Sequence, residues 1–195
     1  MKTPLITLTL ITLLHTTQAA TIILDLYEGA GGDGVLITAT ISDAPNNGVE
    51  IMLRNESTIR AVVTSFAIQD ANGVLSQPLT SADWAIQNSI NIPASSNINF
   101  ETTFGFKALP PPTRNGINAG EDLLITLMDE DINDIIYAFN SGNIRIAMHV
   151  QSIGADAISS SYVTRTTITP EPSTPMLLGL AGVCLLLFRK RDNRK

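Results

Sequence analysis

Apolar and polar side chains alternate along the stretch Ile144-Arg-Ile-Ala-Met-His-Val-Gln-Ser152. Side chains of a β-strand point alternately to its two faces, so residues two apart share a face. The apolar side chains at 144, 146, 148 and 150 therefore line one face, whereas Arg145, His149 and Gln151 lie on the other. This pattern predicts a half-buried strand and favours a β fold.

The same alternation recurs along the rest of the chain. It marks seven further candidate strands, at 21–27, 35–42, 49–54, 59–69, 97–104, 123–128 and 162–168. Turn-forming residues separate these segments, as in the glycine-rich stretch 29–34 and the Asn-Gly pairs at 72–73 and 115–116. About eight short strands joined by such turns predict a mainly β fold, an antiparallel β-sandwich.

One stretch follows a helical period instead. Between residues 131 and 142, apolar side chains stand at 132, 135, 136 and 139, which share one face of a helix. Asp131 can cap the first turn, because its carboxylate accepts hydrogen bonds from free backbone N–H groups, and Gly142 can end the helix. The sequence therefore adds one short helix to the sandwich.

The start of the chain is typical of a secretory signal. Lys2 provides a positive start, residues 5–14 form an apolar run, and the small residues Ala19 and Ala20 follow. This order predicts a signal peptide over residues 1–20, cleaved after Ala19 or Ala20. The alternative is an N-terminal strand or helix of the folded body, which is disfavoured because β-type polar sequence begins at once afterwards. The extracytoplasmic domain is then expected over residues 21–168.

The other end has three elements in order. Pro170, Glu171 and Pro172 come first, an apolar run over 176–188 follows, and the basic cluster Arg189, Lys190 and Arg191 comes last. The apolar run with its flanks predicts a transmembrane helix over 174–190 and a basic cytoplasmic tail over 189–195. Because the positive end stays in the cytoplasm, the body is expected to face the periplasm from the inner membrane.

Together these elements resemble the PEP-CTERM sorting signal of Gram-negative bacteria. The resemblance covers 169–195 and implies recognition by an exosortase, a membrane-embedded enzyme thought to cut near Pro-Glu-Pro. It also implies association with exopolysaccharide or other matrix components, since family members are associated with the biofilm matrix. The expected partners are thus the export machinery, the exosortase, the inner membrane and the matrix. An ordinary single-span anchor with a proline-rich stalk is the alternative.

Charge and cysteine content exclude several classes. The net charge is -6, and five of the twelve basic residues lie in 189–195, so the body is more acidic still. Without clustered positive charge, the body has no footprint for nucleic acid. The one cysteine, Cys184, lies in the apolar tail, which excludes disulfides and cysteine-based metal sites from the body.

Two motifs have a chemical and a structural interpretation. Residues 29–34 fit the spacing GxGxxG, but a dinucleotide site needs a helix next, and 35–42 has the pattern of a strand; a hairpin turn is favoured.

Oxygen ligands at Asp129, Asp131 and Asn133 match the start of a calcium loop, but its later Gly and Glu are missing. An acid-rich helix N-terminus is favoured here. A calcium site of another geometry, joined by Glu121 or Asp122, stays open, and no other cofactor is expected.

Catalytic constellations are not visible in the sequence. His149 is the one histidine outside the predicted signal, and its strand face suggests a solvated side chain. The serine-hydrolase elbow and the zinc motif HExxH are missing, and no carboxylates are marked as a glycosidase pair. The chain is therefore expected not to be an enzyme but a structural or interaction protein of the cell surface or extracellular matrix. A carbohydrate- or calcium-binding module is the alternative, and a secreted hydrolase is least favoured.

Overall fold

The computed structural model describes residues 19–29, 33–45, 47–93, 99–164 and 169–170. Most of the predicted signal peptide, the predicted transmembrane helix over 174–190 and the basic tail lie outside these residues. Within them, no helix is both long and apolar enough to cross a membrane.

The described chain is built mainly of strands. The strands are β1 (Ala19–Gly29), β2 (Ile37–Ala44), β3 (Gly48–Asn55), β4 (Val62–Asp70), β5 (Trp84–Gln87), β6 (Phe104–Ala108), β7 (Ile117–Asn118), β8 (Asp122–Met128), β9 (Ile144–Ile153), β10 (Ile158–Thr164) and β11 (Thr169–Pro170). The helices are α1 (Pro112–Asn115) and α2 (Ile132–Asn140). Every strand pair is antiparallel, which confirms the predicted mainly β antiparallel class.

All strands belong to one sheet, in the order β5-β6-β4-β9-β10-β1-β2-β3-β8, with β7 on β4 and β11 on β1. This replaces the expected sandwich of two stacked sheets. The single sheet is curved. Its curvature is seen at β7, which pairs with β4 in one half of the sheet and also lies beside β3 and β8 of the other half. Alternation shows that each strand buries one face, but it does not show whether the opposing face belongs to a second sheet or to the same one.

The concave face holds one apolar core. Ile41, Ile51 and Ile125, which are paired across the neighbouring strands β2, β3 and β8, are fully buried in the same cluster as Phe66 and Met148 from the other half. At its centre the Phe66 ring stacks on Phe106 at 4.3 Å and lies 5.3 Å from the ring of Trp84. Burial of such large side chains is the dominant favourable term in folding.

A second, smaller cluster covers the outer face of β4 and β9. Ile92 and Phe100, from the loop between β5 and β6, pack there against Ala67 and Ala147. The predicted strand over 97–104 is therefore largely wrong: residues 99–103 form part of this loop, and the strand begins only at Phe104. The apolar spacing around Phe100 arises from its contact with the outer face of the sheet.

Helix α2 agrees with its prediction. The Asp131 carboxylate accepts a 2.7 Å hydrogen bond from the backbone N–H of Asn133 and so caps the first turn. Ile132, Ile135 and Phe139 of the predicted stripe are buried. The helix ends at Asn140, and Gly142 follows with a φ of +74°, a conformation that glycine adopts without strain.

The edge strand β8 is partly covered by the loop residues Leu79 and Thr80. Leu79 and Thr126 exchange two backbone hydrogen bonds of 2.9 Å, one in each direction. The Thr80 hydroxyl donates a further bond of 3.3 Å to the Leu124 carbonyl. The free side of β8 is thus occupied near its middle.

Candidate functional sites

The chain enters its Pro-Glu-Pro stretch from the sheet itself. Thr169 pairs with Thr21 and Pro170 with Ala20, so β11 extends along β1. β10 pairs with the later part of β1, from Leu24 onward, and β11 thus follows β10 along the same side. These residues all belong to one compact unit, Gln18–Glu171. Of the predicted processing motif, Pro170 therefore lies in the sheet, whereas Glu171 and Pro172 lie outside the described residues.

The predicted signal cleavage site lies at the same place. Ala19 and Ala20 are the first residues of β1 and pair with Ser42 and Ile41 of β2. Ala20 is fully buried. The two processing points predicted at opposite ends of the chain are thus neighbours in space, which the sequence pattern did not indicate because the pairing of β11 is short and non-local. The basic residues Arg189, Lys190 and Arg191 lie outside the described chain.

The acidic stretch before α2 is organised as a helix cap. Asp131 accepts hydrogen bonds from both the backbone N–H and the side-chain amide of Asn133, at 2.7 and 3.0 Å. These bonds, the backbone one first, hold the pKa of Asp131 below its ordinary value of 3.8. Asp131 and Asn133 are therefore hydrogen-bonded to each other, while Asp129 is exposed and has a φ of +58°.

Glu121 and Asp122 are too far away to join these residues. They stand at the start of β8, and Asp129 follows its end; six strand residues separate Asp122 from Asp129, a distance of about 20 Å. Among the described residues, no group of three or more His, Cys, Asp or Glu side chains is arranged to hold a metal ion.

His149 is less solvated than its strand face suggests. It lies on the outer face of β9 between Ser65 of β4 and Ser161 of β10. Its side chain is half-buried, and its Nδ1 is buried without a hydrogen-bond partner in the described part of the chain. Burial lowers the pKa of His149 from its ordinary value of 6.5, because desolvation disfavours the charged imidazolium. Among the described residues, no carboxylate orients the ring through Nδ1, as a catalytic triad requires.

A polar cavity of about 390 Å³ opens where β5, α1, β7 and β8 meet. Its floor is apolar and comprises Trp84, Ile117 and Leu123, which are at most 7% exposed. Its rim is charged and exposed, and is formed by Asp83, Arg114, Glu121 and Asp122. Sequence reasoning missed this site, since its residues come from four short elements; the one signal was the sole tryptophan of the chain.

The tail of the chain matches a known sorting signal. Residues 169–191 match the family model described as the PEP-CTERM protein-sorting motif. Searches among curated proteins and among solved structures gave no significant match.

This match defines the class of protein: one that is exported, targeted to an exosortase and anchored to a membrane through its C-terminal segment. More particularly, the chain is a PEP-CTERM domain-containing protein whose described body is a curved antiparallel sheet. Since the match begins at residue 169, the role of the body is argued from its own geometry.

Proposed function

We propose that this protein is a structural or interaction component of the cell surface or extracellular matrix. It is exported by its N-terminal signal, held in the inner membrane by its C-terminal segment and processed by an exosortase near Pro170-Glu171-Pro172. Its body then associates with exopolysaccharide or other matrix components. The observation that carries this proposal is the sorting motif at 169–191, which begins within the last strand pair of the body.

Chemistry at the motif supports its role as a processing site. Proline fixes φ and lacks an N–H, so two prolines flanking Glu171 favour an extended chain and disfavour a helix there. A processing enzyme can bind such an extended segment by its backbone. Arg189, Lys190 and Arg191 would hold the tail on the cytoplasmic side, because basic residues are retained there. The body would then face the periplasm until it is released.

The geometry of the body favours binding over catalysis. Within the described ranges, the buried Nδ1 of His149 has no orienting carboxylate, and Asp131 serves as a helix cap. The charged rim around the apolar floor formed by Trp84 and its neighbours supports a ligand site instead. This observation favours the carbohydrate-binding module as a second candidate function over the calcium-binding one.

Intact mass spectrometry of the protein from envelope and matrix fractions tests the main proposal. The form in the matrix should lack the residues after the Pro-Glu-Pro stretch. Replacing Pro170, Glu171 and Pro172 together by alanine should leave export intact and keep the protein in the membrane. The matched control replaces the adjacent Ser173, Thr174 and Pro175 by alanine and should be released normally. Normal release of the first variant, or a matrix form that retains residues 176–195, would contradict processing at this motif.

A further inference from the structure

We propose that the cavity bounded by β5, α1, β7 and β8 is a saccharide-binding site for neutral or amino sugars. The proposal rests on the second candidate function given above and names its ligand class, and it does not depend on how the tail is processed. It rests on three features: two walls fixed by hydrogen bonds, an apolar floor, and a rim on which Asp83, Arg114 and Asp122 have side chains without partners in the described chain.

The first wall is fixed by a buried asparagine. Asn55 is fully buried, and its side-chain amide donates to the carbonyls of Ala61 and Ile117 at 2.9 and 3.0 Å. Its backbone N–H donates to the Glu121 carbonyl at 3.0 Å, and its own carbonyl accepts from the Gly120 N–H at 2.7 Å. Asn55 of β3 therefore holds the turn between β7 and β8 at two points and β7 itself at a third.

The turn itself has a defined geometry. The Glu121 N–H donates to the Asn118 carbonyl at 2.9 Å, which closes a four-residue turn, and Gly120 within it has a φ of +87°, a value that favours glycine. Glu121 Oε2 accepts hydrogen bonds from the backbone N–H and the side-chain amide of Asn118, both at 2.9 Å. The carboxylate of Glu121 is thus held at the rim before any ligand binds.

The opposite wall combines β5 with the short helix α1. The Asp83 carbonyl accepts from the Leu109 N–H at 2.9 Å, and the Asn115 side chain donates to the Leu109 carbonyl at 3.0 Å. Trp84 packs against Phe66, so its indole is fixed from the core side. Both walls therefore keep their shape without a ligand, which lowers the entropic cost of binding.

The rim offers hydrogen-bonding groups that the protein does not use. In the described part of the chain, no carboxylate lies within ion-pairing distance of Arg114, and the side chains of Asp83 and Asp122 accept no hydrogen bond. The indole N–H of Trp84 likewise has no acceptor among these residues. Carboxylates accept from hydroxyl groups, and the guanidinium and indole N–H groups donate to hydroxyl and ring oxygens.

This combination selects a class of ligand. A sugar presents hydroxyl groups at its edge and C–H groups on its face, which suit a polar rim and an apolar floor respectively. The volume lies at the lower end of small-molecule sites, roughly 300–1,000 Å³. Three carboxylates face one guanidinium at the rim, so an anionic sugar is repelled, whereas an amino sugar gains an ion pair. Because the rim is exposed to water, we expect weak affinity, on the order of a millimolar.

Tryptophan fluorescence of the purified full-length protein tests the proposal directly. Trp84 is the sole tryptophan and lines the cavity, so a ligand bound there should change its emission. Oligosaccharides of glucose, galactose, mannose and glucosamine are the probes, with oligoglucuronate as the anionic comparison. At least one neutral or amino series should give a saturable change that oligoglucuronate does not give. A stronger response to the glucosamine series identifies the amino sugar as the preferred ligand.

Two pairs of variants separate the cavity from the rest of the surface. Asp83→Asn and Arg114→Gln should each weaken binding by about tenfold, the effect of losing one charge-assisted hydrogen bond. Their controls, Asp156→Asn and Arg60→Gln, change exposed residues elsewhere and should bind normally. Absence of a saturable signal with every sugar, equal losses in variants and controls, or binding of an oligolysine peptide in place of sugars would overturn the proposal. Tail processing would be unaffected by any of these results.

Discussion

Ala20 and Pro170 face each other across an antiparallel pair of strands. One belongs to the predicted signal cleavage site and the other opens the sorting motif. The folded body therefore brings both predicted processing points to the same place in β1 and β11. It also leaves no free linker between the sheet and the motif, because Pro170 is itself paired.

The first prediction concerns this short connection. Inserting Gly-Ser-Gly-Ser between Ile168 and Thr169 should speed release of the body. The longer connection weakens the pairing of β11 with β1, and this pairing competes with binding of the motif in the cleft of the processing enzyme. The rate is followed by pulse-chase labelling of the membrane and matrix fractions. The same insertion at Gly73, in an open turn with nothing within 4 Å of its Cβ position, is the control and should leave the rate unchanged. Slower or unchanged release after the first insertion would argue against the competition.

The second prediction concerns the asparagine behind the cavity. Asn55→Asp keeps the shape of the side chain but removes its two donated hydrogen bonds. We expect the free energy of unfolding to fall by about 1–3 kcal/mol for each buried carbonyl that loses its donor. Denaturant unfolding measures this loss. Asn72→Asp, in an exposed turn, is the control and should change little; equal effects of the two substitutions would contradict the role assigned to Asn55.

The third prediction concerns the aromatic centre of the core. Phe66 is fully buried and contacts both Phe106 and Trp84. Phe66→Ala should lower the free energy of unfolding by roughly 3–5 kcal/mol, through lost burial and the cavity that remains. Because Trp84 loses its neighbour, its emission should also shift to longer wavelength. Tyr137→Ala removes a ring that is 71% exposed and should leave both unfolding and emission nearly unchanged.

The fourth prediction concerns pH and His149. Since burial lowers its pKa in the folded state, the unfolded chain binds the proton more readily. The contribution of neutral His149 to stability is therefore complete above the ordinary pKa of 6.5 and decreases as the pH falls through the folded value. The melting temperature of the wild type should drop relative to that of His149→Gln between pH 8 and 5. Parallel curves for the two proteins would show that His149 is not desolvated.

The fifth prediction concerns the cap of α2. Asp131→Ala should lower the melting temperature at neutral pH, because the N–H of Asn133 loses its acceptor. The pKa of Asp131 is depressed in the folded state, so its contribution is present above 3.8 and is lost as the pH falls further. Asp131→Asn, which still caps but does not titrate, should remove this acid dependence with a smaller loss at neutral pH.

Calcium provides the complementary test of the same loop. We expect millimolar calcium to leave the melting temperatures of both Asp131 variants and of the wild type unchanged. A stabilisation of the wild type alone would indicate that Asp129, Asp131 and Asn133 bind the ion after all.

Local chemistry explains which features were predictable. The cap at Asp131 and the strand around Met148 depend on neighbours within a few residues, so their sequence patterns were sufficient. The cavity depends on Asn55, Trp84 and Glu121, which are brought together only by the curvature of the sheet. The same curvature lets a single sheet enclose the core, where a sandwich would use two sheets. Period-two alternation does not predict this curvature. Phe100 shows the converse error, in which a loop residue that packs on a sheet imitates the spacing of a strand.

The two hydrogen bonds between Leu79 and Thr126 affect how the protein behaves when many copies lie close together. An exposed strand edge invites pairing with the edge of another molecule, which leads to aggregation. Proteins that accumulate at a surface meet their own copies at high local concentration. By occupying the middle of β8 with its own backbone, the chain interrupts the row of free amides and carbonyls that a second copy would need, and this protects its solubility at high concentration.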